Sequence, residues 1–315
     1  MKVVDWLMAG DPSIKRLTAK YLLGTEMPYD EEGYIQRYLD LFDSETGLWG
    51  NGVYGPKWIS THYTMLELMY MEVSPENKPY HTGLGHLLDH EWRTLDMSTH
   101  HDRQDVCVLA MVIAMGTYGH SNDVRLLEMI DFILEHQMPD GGWNCSWDST
   151  RRPTVKSSLH TTLSVLEAFA IALENGYTHQ IDSIHQMQAQ AESFILQKSL
   201  FRSVRTGEII NPDFIKFHYP ARWKYDAFRA LEYFARYKRP FDPRMQEALD
   251  LVVKGIQKGY ISKGSPYSGK LHFKLEETKA GRFNTLKALR ILKAYSPDVY
   301  QEVITLDNPL FDNFS

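Results

Sequence analysis

The sequence predicts an all-helical protein, and three observations support this prediction. Apolar residues recur at three- and four-residue spacings along most of the 315 residues, which is the periodicity of amphipathic helices. No run of alternating β-branched residues, which would indicate strands, competes with this pattern. Apolar residues make up 43% of the chain and charged residues 23%, so the chain can bury a large hydrophobic core.

A repeated pair of helices organises the chain. Five strongly apolar segments each begin at a polar residue, here called a lead residue, and these lie 43 to 66 residues apart. Each interval contains a second, more amphipathic helix, and one further pair is predicted at the start of the chain. The lead residues are His62, Asp105, His160, Asp226 and Asn284. The first pair covers residues 3–9 and 12–23, and the amphipathic helices cover 30–41, 80–92, 120–136, 182–198 and 243–258.

These repeats predict a closed ring. A helix pair cannot bury its apolar face alone, so repeats stack on their neighbours, and closure removes the exposed ends of an open stack. The expected fold is an α/α toroid of about six helix pairs, with inner and outer helical rings, forming one domain over residues 1–315. The first pair takes up about residues 1–25. A C-terminal tail at 300–315 is expected to pack over the ring or hang free.

Composition excludes several classes of function. A net charge of −6 and a pI near 6.1 argue against a nucleic-acid partner, since phosphate binding needs clustered positive charge. Asp5 and Asp11 interrupt what would have to be the apolar core of a signal peptide, and no later apolar run is long enough for a transmembrane segment. We therefore expect a cytoplasmic protein that binds a small molecule. Its two cysteines, Cys107 and Cys145, are interpreted as free thiols or ligands.

One segment carries a resemblance to known proteins. IDFILEHQMPDGGW (130–143) resembles the glutamine-tryptophan repeat of squalene and oxidosqualene cyclases, in which a helix ends in a Gln-x-x-x-Gly-x-Trp-like turn. WISTHYTML and SSLHTTLSVL resemble inner helices of the terpenoid-cyclase and protein-prenyltransferase superfamily. The resemblance implies a toroid whose central, aromatic-lined cavity binds an apolar, isoprenoid-like substrate. The Asp-x-Asp-Asp acid motif of the cyclases is absent from the sequence, and HHDRQD (100–105) is the nearest acidic cluster.

The lead residues are candidates for a site, because ring closure would bring equivalent helix starts around one mouth of the cavity. His62, Asp105, His160 and Asp226 are candidate catalytic acids and bases. The alternative interpretation is structural. Asp226 and Asn284 suit helix caps, and buried histidines often serve only as hydrogen-bonded structural groups.

A candidate zinc site lies within this set. Asp105 and Cys107 lie two residues apart at one inner-helix start, and His160 opens the next inner helix. Zinc accepts oxygen, sulfur and nitrogen ligands together and keeps an open fourth position in catalytic sites. The order Asp-x-Cys and then His-Thr is similar to the zinc site of the protein prenyltransferase β subunit, which implies a metal-bound thiolate substrate. A packed core cysteine is the alternative, and Cys145 is a candidate fourth ligand.

Candidate substrate-binding residues cluster at the same helix entries. Aromatic rings there would stabilise a carbocation or stack on a sugar, and the arginines would meet a diphosphate. These residues are Trp58, Tyr63, Trp223, Tyr225, Arg222, Arg282 and Asn284. Two other functions remain open: a carbohydrate-active (α/α)6 enzyme that uses two carboxylates among Asp105, Asp226 and Asp102, and a non-catalytic toroid that binds a ligand.

Overall fold

The computed structural model of the chain describes residues 1–92, 105–146, 154–264 and 266–313. Over these ranges the regular structure is helical, with isolated bridges but no β-strand, so the all-α prediction is confirmed. No helix in the described ranges combines the length and the apolar character that crossing a bilayer requires. The α-helices found there are α1 (Val3–Met8), α2 (Pro12–Thr18), α3 (Tyr34–Leu39), α4 (Thr61–Tyr70), α5 (Lys78–Glu91), α6 (Val106–Tyr118), α7 (Arg125–Glu135), α8 (Leu159–Glu174), α9 (Ile181–Leu196), α10 (Ala227–Arg236), α11 (Gln246–Gly255), α12 (Arg282–Tyr295) and α13 (Pro297–Thr305).

Polar residues in the sequence define several helix starts. Asp11 precedes α2 and accepts a hydrogen bond from the Ser13 backbone N–H at 3.0 Å, with Pro12 in the first helical position. Asn77 caps α5 in the same manner through the Tyr80 N–H at 3.1 Å. A π-helical turn, Ala19–Leu23, continues α2, and together they span the predicted 12–23 segment.

Helices that carry the lead residues pack on one another in chain order. Helix α6 contacts both α4 and α8, Arg229 of α10 pairs with Glu167 of α8, α10 contacts α12, and α12 contacts α2. Each of α4, α6, α8, α10 and α12 also contacts the helix that follows it, which is the pairing predicted from the repeat. The lead residues therefore lie at the starts of helices that share an apolar core.

The two ends of the chain meet. Helix α13 packs against α1, and the Asn308 backbone N–H donates to the Met1 carbonyl at 3.2 Å. Phe311 is fully buried and stacks on Trp6, with 4.7 Å between the ring centroids. The C-terminal tail is therefore more regular than the sequence indicated, because it contains most of α13 and a 3-10 turn, Pro309–Asn313, and it packs on the first helix.

The glutamine-tryptophan turn has a structural role. Trp143 is fully buried, its indole N–H donates to the Ile133 carbonyl at 2.7 Å, and its backbone N–H donates to the Thr162 hydroxyl at 3.0 Å. Trp49 makes the same two kinds of hydrogen bond. Its indole N–H donates to the Tyr38 carbonyl at 2.7 Å, and its backbone N–H donates to the Thr61 hydroxyl at 3.0 Å. The two turns thus fasten consecutive helices in the same way, which supports the predicted internal repeat.

Candidate functional site

Two neighbouring cavities among the described residues share part of their walls. The loop cavity, of about 810 Å³, is lined by Tyr38, Trp58, Glu67, Tyr219, Pro220, Arg222 and residues 263, 264, 266 and 271–276. The helix cavity, of about 840 Å³, is lined by residues of α2, α4, α8, α10 and α12 together with Tyr219 and Pro220. Tyr219 and Pro220 therefore belong to the walls of both cavities.

Carboxylates in the helix cavity are matched by cations. Glu167 receives two bonds from the Arg229 guanidinium, at 2.9 and 2.6 Å, and a third from the Tyr70 hydroxyl at 3.2 Å. Glu232 pairs with Lys287 at 2.9 Å and with Arg290 at 3.1 Å. Buried charges are tolerated when they are paired and hydrogen-bonded in this way, so these groups fit a structural role.

The loop cavity contains a buried ion pair that is only partly satisfied. Arg222 is 1% exposed, and its Nε and Nη2 donate to Glu67 at 3.0 and 2.8 Å. The Tyr38 hydroxyl donates to the other oxygen of Glu67. Nη1 of Arg222 has no hydrogen-bond partner among the described residues, while the guanidinium lies 4.6 Å from the Trp58 ring centroid. A strong donor of a residue that lines this cavity is therefore left without a partner among the described residues.

A second carboxyl group, Glu276, lines the same cavity. It accepts hydrogen bonds from the backbone N–H groups of Arg282 and Phe283, at the start of α12. Burial raises the pKa of Glu276 to about 7, although the two amide bonds oppose this shift. Burial also raises the pKa of Glu67, and the Arg222 charge opposes it. Glu276 therefore changes charge near neutral pH.

Of the predicted site residues, Trp58 and Arg222 line the loop cavity, whereas the lead residues line neither cavity. Asp226 accepts a hydrogen bond from the Arg229 backbone N–H at 2.7 Å, so the capping interpretation of Asp226 is confirmed. Burial raises the pKa of Asp226 to about 6. Asn284 donates its side-chain amide to the carbonyls of Phe217 at 3.2 Å and Ser262 at 2.9 Å.

The two histidines lie among aromatic rings, His62 fully buried and His160 partly buried. His62 is fully buried between Tyr54 and Tyr63, and burial lowers its pKa to about 3. Neither ring nitrogen of His62 has a hydrogen-bond partner within the part of the chain that is described. His160 accepts a bond from the Tyr225 backbone N–H at 2.7 Å and packs edge-on against Trp223, and burial lowers its pKa to about 4.

Two further candidates for substrate binding make contacts of their own. The Tyr63 hydroxyl donates to that of Tyr54 at 3.1 Å, and its ring meets Trp58 edge-on with 4.7 Å between centroids. Arg282 lies over the Trp6 ring at 4.6 Å and donates to the Trp6 carbonyl at 3.2 Å. Tyr63 thus supports the Trp58 wall, while Arg282 lies against the first helix.

The candidate zinc ligands do not assemble. Across the described ranges, no group of three or more His, Cys, Asp or Glu side chains is arranged to hold a metal ion. Asp105 and Cys107 lie near Cys145, whose sulfur is 3.4 Å from the Cys107 backbone nitrogen, whereas His160 is engaged with Tyr225. The residues present thus do not fit a zinc site, and zinc binding stays a prediction that elemental analysis of the protein, with and without Cys107→Ala, would test.

Sequence reasoning missed Glu67 and Glu276. Glu67 had a local signal, because an acidic residue within the apolar helix THYTMLELMY must find a partner when that helix is buried. Glu276 lies in the polar run KLEETK and carried no such signal. The third candidate of the carbohydrate hypothesis, Asp102, lies outside the described residues.

Comparisons with known proteins return no relative. No protein-family model matches the chain, and neither does any curated protein or solved structure. Functional conclusions therefore depend on the residues and cavities of this chain.

Proposed function

We propose that this chain is an α/α toroid that binds a small molecule with an apolar body and an anionic end in the loop cavity. Three relations support the ring: the helices that carry the lead residues contact one another in chain order, with α8 and α10 joined by the Glu167–Arg229 ion pair, α12 packs on α2, and α13 packs on α1. The ligand class follows the resemblance to isoprenoid-binding toroids. The proposal concerns binding, and the same cavity would serve an enzyme or a non-catalytic binding protein.

The observation that carries the proposal is the unpartnered Nη1 of Arg222, a buried residue that lines the cavity. A buried donor without a partner costs on the order of 1–3 kcal/mol, and a charged donor costs more. An acceptor oxygen supplied by a ligand would remove that cost. Arginine favours carboxylate and phosphate oxygens, because bonds between opposite charges are about twice as strong as neutral ones.

Apolar side chains make up much of the remaining wall, beside the charged Lys263, Lys274 and Glu276, and they suit an apolar body. Trp58, Tyr219 and Phe273 contribute aromatic surface, and Leu271 and Leu275 contribute aliphatic surface. Small-molecule sites bury most of the ligand against apolar walls and hold it with a few polar groups, and this cavity offers both kinds of surface. A flexible hydrocarbon tail beside Leu271 and an anionic head at Arg222 satisfy both parts of this surface.

A second candidate function is supported by the two carboxyl groups in the same cavity. Glycoside hydrolysis uses one protonated and one ionised carboxyl group. Glu276, whose pKa burial raises to about 7, suits the acid, and Glu67 beside Arg222 suits the carboxylate. This pair replaces Asp105 and Asp226 as the carboxylates of the carbohydrate hypothesis.

A matched set of ligands tests the proposal. We expect farnesyl diphosphate to stabilise the protein by about 2.7 kcal/mol at one hundred times its Kd, and to bind at least about tenfold more tightly than farnesol, which lacks the anionic head. Thermal unfolding and calorimetric titration would measure both quantities. Equal affinity for the diphosphate and the alcohol would show that Arg222 does not bind the anionic end of the ligand. Stabilisation by sugars alone would favour the carbohydrate candidate.

Two variants locate the binding site. Leu271→Trp should fill the loop cavity and abolish binding without loss of stability, because Leu271 is 41% exposed. Leu23→Trp is the matched control, since Leu23 is 50% exposed and lines neither cavity. The double variant Glu67→Gln and Arg222→Gln removes both charges together and should abolish the preference for the diphosphate. Unchanged binding in Leu271→Trp would place the ligand elsewhere.

A further inference from the structure

The two cysteines of the chain lie side by side. Cys107 is the second residue of α6, and Cys145 lies in the turn that follows Trp143. The Cys107 backbone N–H donates to the Cys145 sulfur at 3.4 Å across 38 residues of sequence. The two thiols are also within hydrogen-bonding reach of each other. A disulfide requires the two α-carbons to lie within about 7 Å, and these two contacts place the cysteines close to that range.

Packing fixes both ends of this contact. Cys107 is held by α6, which contacts α4, α7 and α8. Cys145 follows the fully buried Trp143, and its sulfur also lies 3.4 Å from the Thr161 hydroxyl at the start of α8. Both cysteines are only partly buried, so a small oxidant can reach them. With no other cysteine in the 315 residues, neither thiol has a competing partner within the chain.

We propose that Cys107 and Cys145 form a reversible redox pair, which hydrogen peroxide converts to an intramolecular disulfide. The Cys145 sulfur, as its thiolate, attacks one peroxide oxygen, the O–O bond breaks, and hydroxide leaves and takes up a proton to form water. The resulting sulfenic acid is attacked at sulfur by the Cys107 thiol. The S–S bond forms, the S–O bond breaks, and the second water leaves with the thiol proton. Two thiols are oxidised and one peroxide is reduced to two waters.

This inference is independent of the proposed function, because neither cysteine lines the loop cavity or the helix cavity. The bond would join the start of α6 to the turn that carries Trp143. Both elements keep their positions when it forms, so oxidation should leave ligand binding in the loop cavity unchanged.

Peroxide treatment of the full-length chain tests the pair. We expect hydrogen peroxide to consume both thiols together, to lower the intact mass by about 2 Da, and to yield one peptide pair linked through Cys107 and Cys145. Dithiothreitol should restore both thiols. Stepwise oxidation to sulfinic acid without a disulfide, or a disulfide-linked dimer, would overturn the proposal. Thiols that stay unreactive until a chelator is added would also overturn it, because a bound metal would then hold them.

Single variants and an unfolded control distinguish a disulfide that forms because the fold brings the two cysteines together from the ordinary reactivity of two thiols. Cys107→Ser should leave a sulfenic acid on Cys145 that a dimedone probe captures, because the second thiol is missing. The folded wild type should close its disulfide at least about tenfold faster than the same chain in concentrated urea, since folding raises the effective concentration of one thiol near the other. Equal rates in the two states would show that the fold does not create the pair.

Discussion

The helix cavity and the loop cavity differ in the groups that hold their carboxylates. In the helix cavity, Glu167 has Arg229 and Tyr70 as partners, and Glu232 has two cations. In the loop cavity, Arg222 keeps an unpartnered nitrogen within the described structure, and Glu276 is held by backbone amides. Buried charge alone therefore does not mark a binding site. An unpartnered donor does not mark a binding site by itself either, because Arg236 and Arg290 of the helix cavity each keep an Nε without a partner in the described structure. Such a donor supports a binding site only together with the other features of its cavity.

The strongest test of the helix cavity removes one of its cations. Arg229→Met leaves the Glu167 carboxylate buried with only the Tyr70 hydroxyl, and breaking a buried pair on one side costs roughly 3–5 kcal/mol. We expect the free energy of unfolding in urea to fall by that amount. Binding in the loop cavity should not change in conditions where the variant stays folded.

A double variant separates the pair from the packing of the side chains. Arg229→Met combined with Glu167→Gln removes both charges and keeps side chains of similar size, so most of the lost stability should return. A double variant no more stable than the single one would show that Arg229 acts through its bonds to Lys224 and Ser164 instead of through the ion pair.

The loop cavity is tested through the charge of Glu276. Burial raises its pKa in the folded protein to about 7 from the ordinary 4.5, so the folded state binds the proton more tightly than the unfolded state. This stabilisation is fully present below pH 4.5 and is lost as the pH rises to about 7. The Glu276→Gln variant has no carboxyl group at this position, so it lacks this pH-dependent stabilisation. The stability of the variant relative to the wild type should therefore rise by roughly 3 kcal/mol between pH 4.5 and 7 and stay level above that.

Glu277→Gln is the control for this pH dependence. Glu277 is the exposed neighbour of Glu276, so its removal should leave the stability profile of the wild type unchanged. A Glu276→Gln variant whose stability follows the wild type at every pH would mean that Glu276 is as solvated in the folded chain as in the unfolded one.

The helices could be predicted because their signals are local. Apolar spacing placed α5 within two residues of its predicted start, and Asp226 caps α10 as its residue type indicated. The π-helical end of α2 and the final turn of the C-terminal tail carried no comparable signal. They depend on contacts such as the stacking of Phe311 on Trp6, which are distant in sequence.

The candidate site could be predicted only in part, because position along a helix does not determine the side that a residue faces. His62 and Glu67 lie in the same helix, and five residues at 100° each place them about 140° apart around its axis. His62 faces Tyr54, whereas Glu67 faces the loop cavity. The partner of Glu67 is Arg222, 155 residues away, and no spacing within one repeat indicates such a contact.

The smallest expected effect concerns His62, a buried polar group outside both cavities. Its ring has no hydrogen-bond partner in the described ranges, and an unsatisfied buried group costs on the order of 1–3 kcal/mol. His62→Leu keeps a similar volume, so we expect the free energy of unfolding at pH 8 to rise by about 1 kcal/mol. A loss of stability would show instead that the ring has a partner.

The pH profile of the same variant adds a second measurement. Because burial lowers the pKa of His62 to about 3 from 6.5, the unfolded chain takes up its proton first as the pH falls. The wild type therefore loses stability from this group between pH 6.5 and 3, and His62→Leu should not. The difference in the free energy of unfolding between the wild type and His62→Leu should therefore increase as the pH falls. A constant difference would mean that His62 is protonated equally in the folded and unfolded states, which its burial between Tyr54 and Tyr63 does not permit.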